Sequence, residues 1–320
     1  MRIVVIGGTG HIGTYLSPML AQAGHEVISV SRGMREPYQP HEAWSGIARV
    51  ALDRAEEEAR GEFGHRIGEL EPEVVIDLTC YLPESARQLV DALRGRVGHF
   101  LHCGTIWVHG HTIEAPTTED TPRAPFGDYG IRKLAIETYL LAEAREGFPA
   151  TVLHPGHLVG PGWAPVNPAG NFNTEVFADL AAGREVLLPN LGMETLHHVH
   201  ASDVAAAFVG AVEHREAAIG ESFHVVSPAA LTLRGYAERM AAWFGREPRL
   251  GFLPWEEWRA RQSEKDARIT RDHIMHSPHC SIEKARGRLG YQPRYSSLGA
   301  VQESVAWLVR EGKLVPLPVS

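Results

Sequence analysis

The chain opens on Arg2-Ile3-Val4-Val5-Ile6, a short β-branched run, and then on Ile12, Leu16, Met19, Leu20 and Ala23 at helical spacing. That order predicts a strand, a glycine turn and a helix. Further apolar runs at Glu26 to Val30, around Ala48 to Leu52, at Val74 to Leu78, at His99 to Cys103 and at Thr151 to His154 predict five more strands. Between the fourth and fifth, Ala86, Leu89, Val90 and Leu93 line one face of a crossover helix, and Tyr129 to Ala144 predicts the longest helix, ended by Gly147 and Pro149. Such alternation predicts a doubly wound parallel sheet of Rossmann type, α/β in class, with a smaller and mostly C-terminal substrate lobe.

Domain limits follow from the same pattern. Residues 1–155 are expected to form the dinucleotide-binding domain, and 156–320 the substrate domain, with 196–226 returning to the sheet. From Pro155 to Pro168 glycine and proline become dense, which predicts an irregular loop at the carboxyl edge of the sheet. Helices are expected at Val199 to Val212, Tyr236 to Phe244 and Ser281 to Leu289, and His273 to Cys280 is read as an irregular stretch.

Composition narrows the function. With 31 Lys and Arg against 39 Asp and Glu, the net charge of -8 has the wrong sign for a surface that neutralises phosphates along a nucleic acid. Three scattered cysteines, Cys80, Cys103 and Cys280, suit a reducing compartment better than a disulfide framework. No apolar run spans a bilayer, and the first strand begins at Arg2, so a cytoplasmic location is expected, with a small-molecule substrate and neither nucleic acid nor membrane as partner.

The chemistry concentrates in two segments. Gly7-Gly8-Thr9-Gly10-His11-Ile12-Gly13 lies between the first strand and first helix, where small residues admit a pyrophosphate and the helix terminus stabilises its charge. At the end of the second strand, Ser31 and Arg32 stand where an acid would hold a ribose 2′-hydroxyl; an arginine there favours NADP over NAD. Asp53 is a candidate for the adenine amino group, or a turn former. Tyr129 and Lys133, four residues apart on one helix face, offer a phenol for proton transfer and a cation to tune it and hold ribose. Thr105, 24 positions before the tyrosine, adds a hydroxyl for the reacting oxygen.

Together with Val108-His109-Gly110, Pro155-Gly156-His157-Leu158-Val159-Gly160-Pro161-Gly162, His198-Val199-His200-Ala201-Ser202-Asp203 and a closing Leu289-Gly290-Tyr291-Gln292-Pro293, these motifs resemble the extended short-chain dehydrogenase/reductases over nearly the whole chain. The resemblance is to their sugar-nucleotide epimerase and dehydratase branch. It implies hydride transfer with Thr105, Tyr129 and Lys133 as catalytic residues, and Leu78, Thr79, Pro155 and His157 joining the glycine turn, Ser31, Arg32 and Asp53 around the cofactor. Tyr81, Trp107, His109, His157, Asn171 and His198 are the expected substrate contacts, and a homodimer is the expected assembly. No metal is expected, despite 18 histidines.

The sequence departs from the branch at one informative place. Thr195-Leu196-His197-His198 stands where the family often carries an arginine for a nucleotide diphosphate, which puts a nucleotide-linked sugar in doubt. Epimerase, dehydratase and carbonyl reductase remain open, beside a non-catalytic nucleotide sensor or RNA-associated scaffold on the same fold.

Overall fold

The computed structural model describes residues 1–314. Seven parallel strands form the central sheet: β1 (Arg2–Ile6), β2 (Glu26–Ser31), β3 (Ala48–Ala51), β4 (Val74–Asp77), β5 (His99–Cys103), β6 (Ala150–Pro155) and a last one at Ser222–Val225, in the order β3-β2-β1-β4-β5-β6 and then the Ser222–Val225 strand. Chain order reverses between β1 and β4, which leaves a crevice at the carboxyl ends of the strands.

One face of the sheet is covered by α1 (Gly13–Gln22), the helix Ala201–Glu213 and the helix Glu283–Leu289, through Leu16, Leu20, Val204, Phe208, Ala285 and Leu289. On the opposite face lie α2 (Arg54–Ala59), α3 (Phe63–Gly68), α4 (Pro83–Leu93) and α5 (Gly127–Arg145); Phe63, Ile67, Leu89, Leu93, Ile136 and Leu140 make the contact. Leu89 and Leu140 are fully buried, and burial of each such side chain contributes about 1.5–3 kcal/mol. Sequence periodicity located α4 and α5 to within two residues but missed α2 and α3, which are six residues each and too short to repeat an apolar stripe.

A second core gathers Phe177 and Leu180, then Tyr236 and Met240, Trp258, and Val301, Val305 and Leu308 of the C-terminal helix Ser297–Arg310. Trp258 is wholly buried there, with its indole N–H donating to the Leu187 carbonyl at 2.8 Å. Asp203 bridges the two cores, accepting from the backbone N–H groups of Arg294 and Tyr295 at 3.0 and 3.1 Å.

Two expected elements are corrected. The run from Val199 is first a short strand, His198–His200, paired in parallel with His157–Val159, and becomes helical only at Ala201, because the β-branched valine pairs in the strand before the His200 side chain caps the helix. His273 and His276 are not in an irregular stretch: they lie on the helix Glu264–His276, whose polar outer face hid its periodicity.

Candidate active site

At the end of β1 the chain turns into α1 through the glycine loop. A Cβ on Gly13 would stand 2.4 Å from the Gly8 carbonyl oxygen and 2.5 Å from that of Gly7, so only glycine lets the helix start this close to the strand. The cap residue Ile12 supplies no side-chain hydrogen bond to the first turn, which leaves that positive end facing the cleft for an anion.

The cleft above it has a volume of about 480 Å³. Gly7, Thr9 and Gly10 line its inner end, Ser31, Arg32 and Asp53 the part beyond β2 and β3, and Thr79 the part after β4. Asp53 also caps α2, accepting from the backbone N–H of Ala55 at 2.9 Å. Arg35 and Tyr38 join the wall unforeseen, since they lie in a loop without periodicity, and the Arg35 guanidinium donates to the Tyr38 hydroxyl at 3.1 Å.

The floor holds a buried ion pair that sequence alone did not reveal. Arg54 donates to both carboxylate oxygens of Asp77, at 2.9 and 3.0 Å, and Asp77 is fully buried at the end of β4. Burial opposes the charge on Arg54, but Asp77 together with Cys80 and Glu58 more than offsets this, and the guanidinium pKa is raised. Donor atoms of Asp77, Cys80 and His102 lie within 4.8 Å of one another. With Arg54 on the aspartate and the Lys133 ammonium against the Cys80 carbonyl, that cluster is already supplied with positive charge.

Beside the cleft, a smaller pocket of about 220 Å³ is lined by Thr105, Trp107, Tyr129, His157, Trp163 and Phe172, with Ile106, Gly156, Leu158 and Val166. Gly130 sets its geometry: a Cβ there would come within 3.2 Å of the Trp107 carbonyl oxygen, so the first turn of α5 can rest on the loop after β5 and place Tyr129 next to Thr105. The Thr105 hydroxyl accepts from the Trp107 N–H at 3.3 Å, capping a short 3-10 turn, so its own proton is left to donate. Tyr129 is 43% exposed, with its phenol oxygen at the crowded end; burial raises its pKa, the Cys103 thiol adds to this, and Thr105 opposes it.

Lys133 is 2% exposed and donates to the carbonyl oxygens of Cys80 and Cys103, each at 2.7 Å. Its Nζ lies 4.9 Å from the centre of the Tyr81 ring. Burial lowers the lysine pKa, against the pull of the two neighbouring thiols.

Several expected contacts fall elsewhere. Tyr81 lines the larger cleft and not the smaller pocket. His109 is buried, Nε2 to Nε2 with His224 at 2.8 Å; Asn171 is bonded to Asn167 and to Thr270; His198, fully buried, meets the Val166 carbonyl at 3.2 Å. Each is buried and bonded within the protein through at least one polar atom, which the pattern of neighbouring residues could not disclose. Ile12 and Leu78 pack in the first core, and Pro155 is a buried strand end paired with Val225. His11 is buried beneath Trp163, ring centres 4.9 Å apart. Trp163 and Phe172 were missed in the sequence: Trp163 stands in the glycine- and proline-rich loop that predicted a ligand edge, and Phe172 four residues beyond it.

Sheet order, glycine loop and cleft define a Rossmann-type dinucleotide-binding enzyme of the extended short-chain dehydrogenase/reductase type. The chain belongs to the NAD dependent epimerase/dehydratase family, which matches residues 3–225. It is 28% identical over 317 residues to 2′-dehydrokanamycin reductase of Streptomyces kanamyceticus, covering 98% of this chain and 86% of that protein. A further relative, at 24% over 309 residues, 95% of this chain and 78% of the other, is the chloroplast stem-loop binding protein of 41 kDa b from Arabidopsis thaliana. Among solved structures, dTDP-glucose 4,6-dehydratase of Bacillus anthracis in complex with NAD has the same fold, with a TM-score of 0.74 at 18% identity over 99% of this chain and 100% of that one.

Proposed function

We propose that the protein is an NAD(P)-dependent oxidoreductase that reduces a ketone to a secondary alcohol on a small hydroxylated ring, with Tyr129 as the acid. The observation that carries this is the shared pocket: Thr105 and Tyr129 line the same 220 Å³ space, adjoining a cleft fit for a dinucleotide. The similarity to a named reductase over 98% of the chain supports the direction.

Gly7, Thr9 and Gly10 would hold the pyrophosphate against the first turn of α1, Asp53 and Thr79 the adenosine, and Lys133 the nicotinamide ribose. When bound, the nicotinamide supplies a hydride from C4 to the carbonyl carbon. Tyr129 gives its phenol proton to the carbonyl oxygen, so the C=O bond becomes CH–OH. Burial raises the phenol pKa, so the proton is in place at neutral pH, and a nearby positive charge has to lower that pKa for the transfer to be fast. Thr105 donates to the same oxygen and orients it, and the phenolate regains a proton from water that enters the pocket once the product leaves.

The neighbouring cations Arg32 and Arg35 support NADP as the cofactor, since each can meet a 2′-phosphate at the mouth of the cleft. Residues 1–155 with 196–226 form the cofactor domain in this reading, the remainder the substrate domain, and two copies pair through α4 and α5, where Ile131 is 53% exposed.

The test is Tyr129→Phe: cofactor affinity is retained and turnover falls by about a hundredfold or more. Unchanged turnover overturns the reading. Stoichiometric loss of reduced cofactor marks the reductase; product formed with no net change in the cofactor marks an epimerase or dehydratase instead.

A further inference from the structure

We infer that the substrate ring carries no diphosphate: the pocket takes a glycoside bearing hydroxyl or amino groups, held between aromatic faces, and not a nucleotide-linked sugar. This rests on the hydride-transfer reading above and names its substrate class.

Two independent observations lead there. The first is the wall of the pocket. Trp107, Trp163 and Phe172 give it three aromatic side chains, its polar side chains are Thr105, Tyr129 and His157, and among the described residues no Lys, Arg, Asp or Glu lines it. An anion entering such a space would lose its water without gaining a partner. Aromatic faces, in contrast, accept the apolar side of a sugar ring or a protonated amine. The volume of 220 Å³ is also below the roughly 300–1,000 Å³ of sites for larger ligands, and suits a single ring.

The second observation is at the place where a diphosphate would need its anchor. Thr195 has its backbone N–H on the Ser277 hydroxyl at 3.0 Å, and its own hydroxyl bonded to the Pro278 carbonyl at 3.0 Å. His197 bonds the Ser227 carbonyl at 2.8 Å through Nε2 and accepts from the Cys280 N–H at 3.1 Å through Nδ1. His198 is spent on Val166. Thr195 and His197 are consumed internally, His198 keeps only a buried Nδ1 without a partner, and Ser277, Pro278 and Cys280 supply several of these bonds.

His157 supplies the polar complement. Neither of its ring nitrogens has a protein partner among the described residues; both are shielded from solvent where the ring packs against Trp107 and His273 at centroid separations of 6.2 and 5.0 Å, so they serve the substrate once the side chain turns into the pocket it lines. A neutral imidazole offers one donor and one acceptor, the pair that a ring hydroxyl or amine requires.

The experiment is calorimetric titration of the complex with NADP⁺, so that affinity is read without turnover. Methyl glucoside, methyl glucosaminide, UDP-glucose and UDP are the probes. At least one phosphate-free ring should bind tenfold or more tightly than UDP-glucose, and millimolar UDP should not displace it. Phe172→Ala, a change at a 44% exposed side chain, should weaken that ring about fivefold or more while cofactor affinity stays within twofold. Tighter binding of UDP-glucose, displacement by UDP, or unchanged ring affinity in Phe172→Ala overturns the inference. Turnover of UDP-glucose with Tyr129-dependent kinetics would overturn it while leaving the hydride-transfer reading standing; a ring that binds as described, with turnover indifferent to Tyr129→Phe, would do the reverse.

Discussion

The ammonium of Lys133 lies 6.0 Å from the centre of the Tyr129 ring, its hydrogen bonds directed to two backbone carbonyls and not to the phenol. The pair shares a helix face, as their spacing requires, yet the lysine ties the turn after β4 to the end of β5. Through the Cys103 carbonyl it also fixes the strand end that leads into Thr105.

Lys133→Met should therefore cost stability as well as cofactor affinity. Two buried, charge-assisted bonds are lost, and each contributes about 1.5–3 kcal/mol. The melting temperature should fall together with the affinity for either cofactor. An unchanged melting temperature would show that the two carbonyls find other partners, and unchanged cofactor affinity would remove the ribose from its role.

Arg32→Ala should lower NADP affinity about tenfold, about 1.4 kcal/mol, with NAD affinity unchanged, because only the 2′-phosphate distinguishes them. Removing Arg35 as well should widen the gap. Dissociation constants at fixed salt are the measurement, since both side chains are exposed and screening weakens such pairs. Equal losses for both cofactors would make Arg32 a bystander.

Gly13→Ala should abolish measurable dinucleotide binding. The added methyl would meet the Gly7 and Gly8 carbonyl oxygens at about 2.5 Å, and neither is a flexible side-chain end. The strand-to-helix turn must open to admit it, so the melting temperature should fall too. Parental cofactor affinity in this variant would refute the tight turn.

Acid should destabilise the protein early. Burial, the largest cause in each case, lowers the pKa of His99, His109 and His198 to about 3, and of His197 and His273 to about 4. These folded-state values lie below the unfolded value near 6.5, so the stabilisation is complete above pH 6.5 and is lost as the pH falls from 6.5 towards 4 and 3. Each such histidine then costs about 1 kcal/mol per pH unit. Melting temperatures at pH 7.5 and 5.5 should differ clearly, and a flat profile over that interval would mean that these rings are hydrated.

Local pattern was enough to set down six of the seven sheet strands, the glycine turn, the long helix with Tyr129 and Lys133, and the family itself. Those features repeat within a few residues: β-branched runs, a 3.6-residue stripe, glycines where backbones touch. Thr105 and Tyr129, which line one pocket, stood out in the sequence because the motif that carries each is contiguous. What tertiary structure alone decided is where polar side chains spend their hydrogen bonds. His109 and His224 are 115 residues apart, Thr195 and Ser277 are 82 apart, and Arg54 finds Asp77 across 23. No local rule connects such partners, because burial and pairing depend on which segments the sheet order brings together. Hence His109, Asn171 and His198, chemically suited to a substrate, became structural, while Trp163 and Phe172, in a loop with no periodicity, came to form the walls of the pocket.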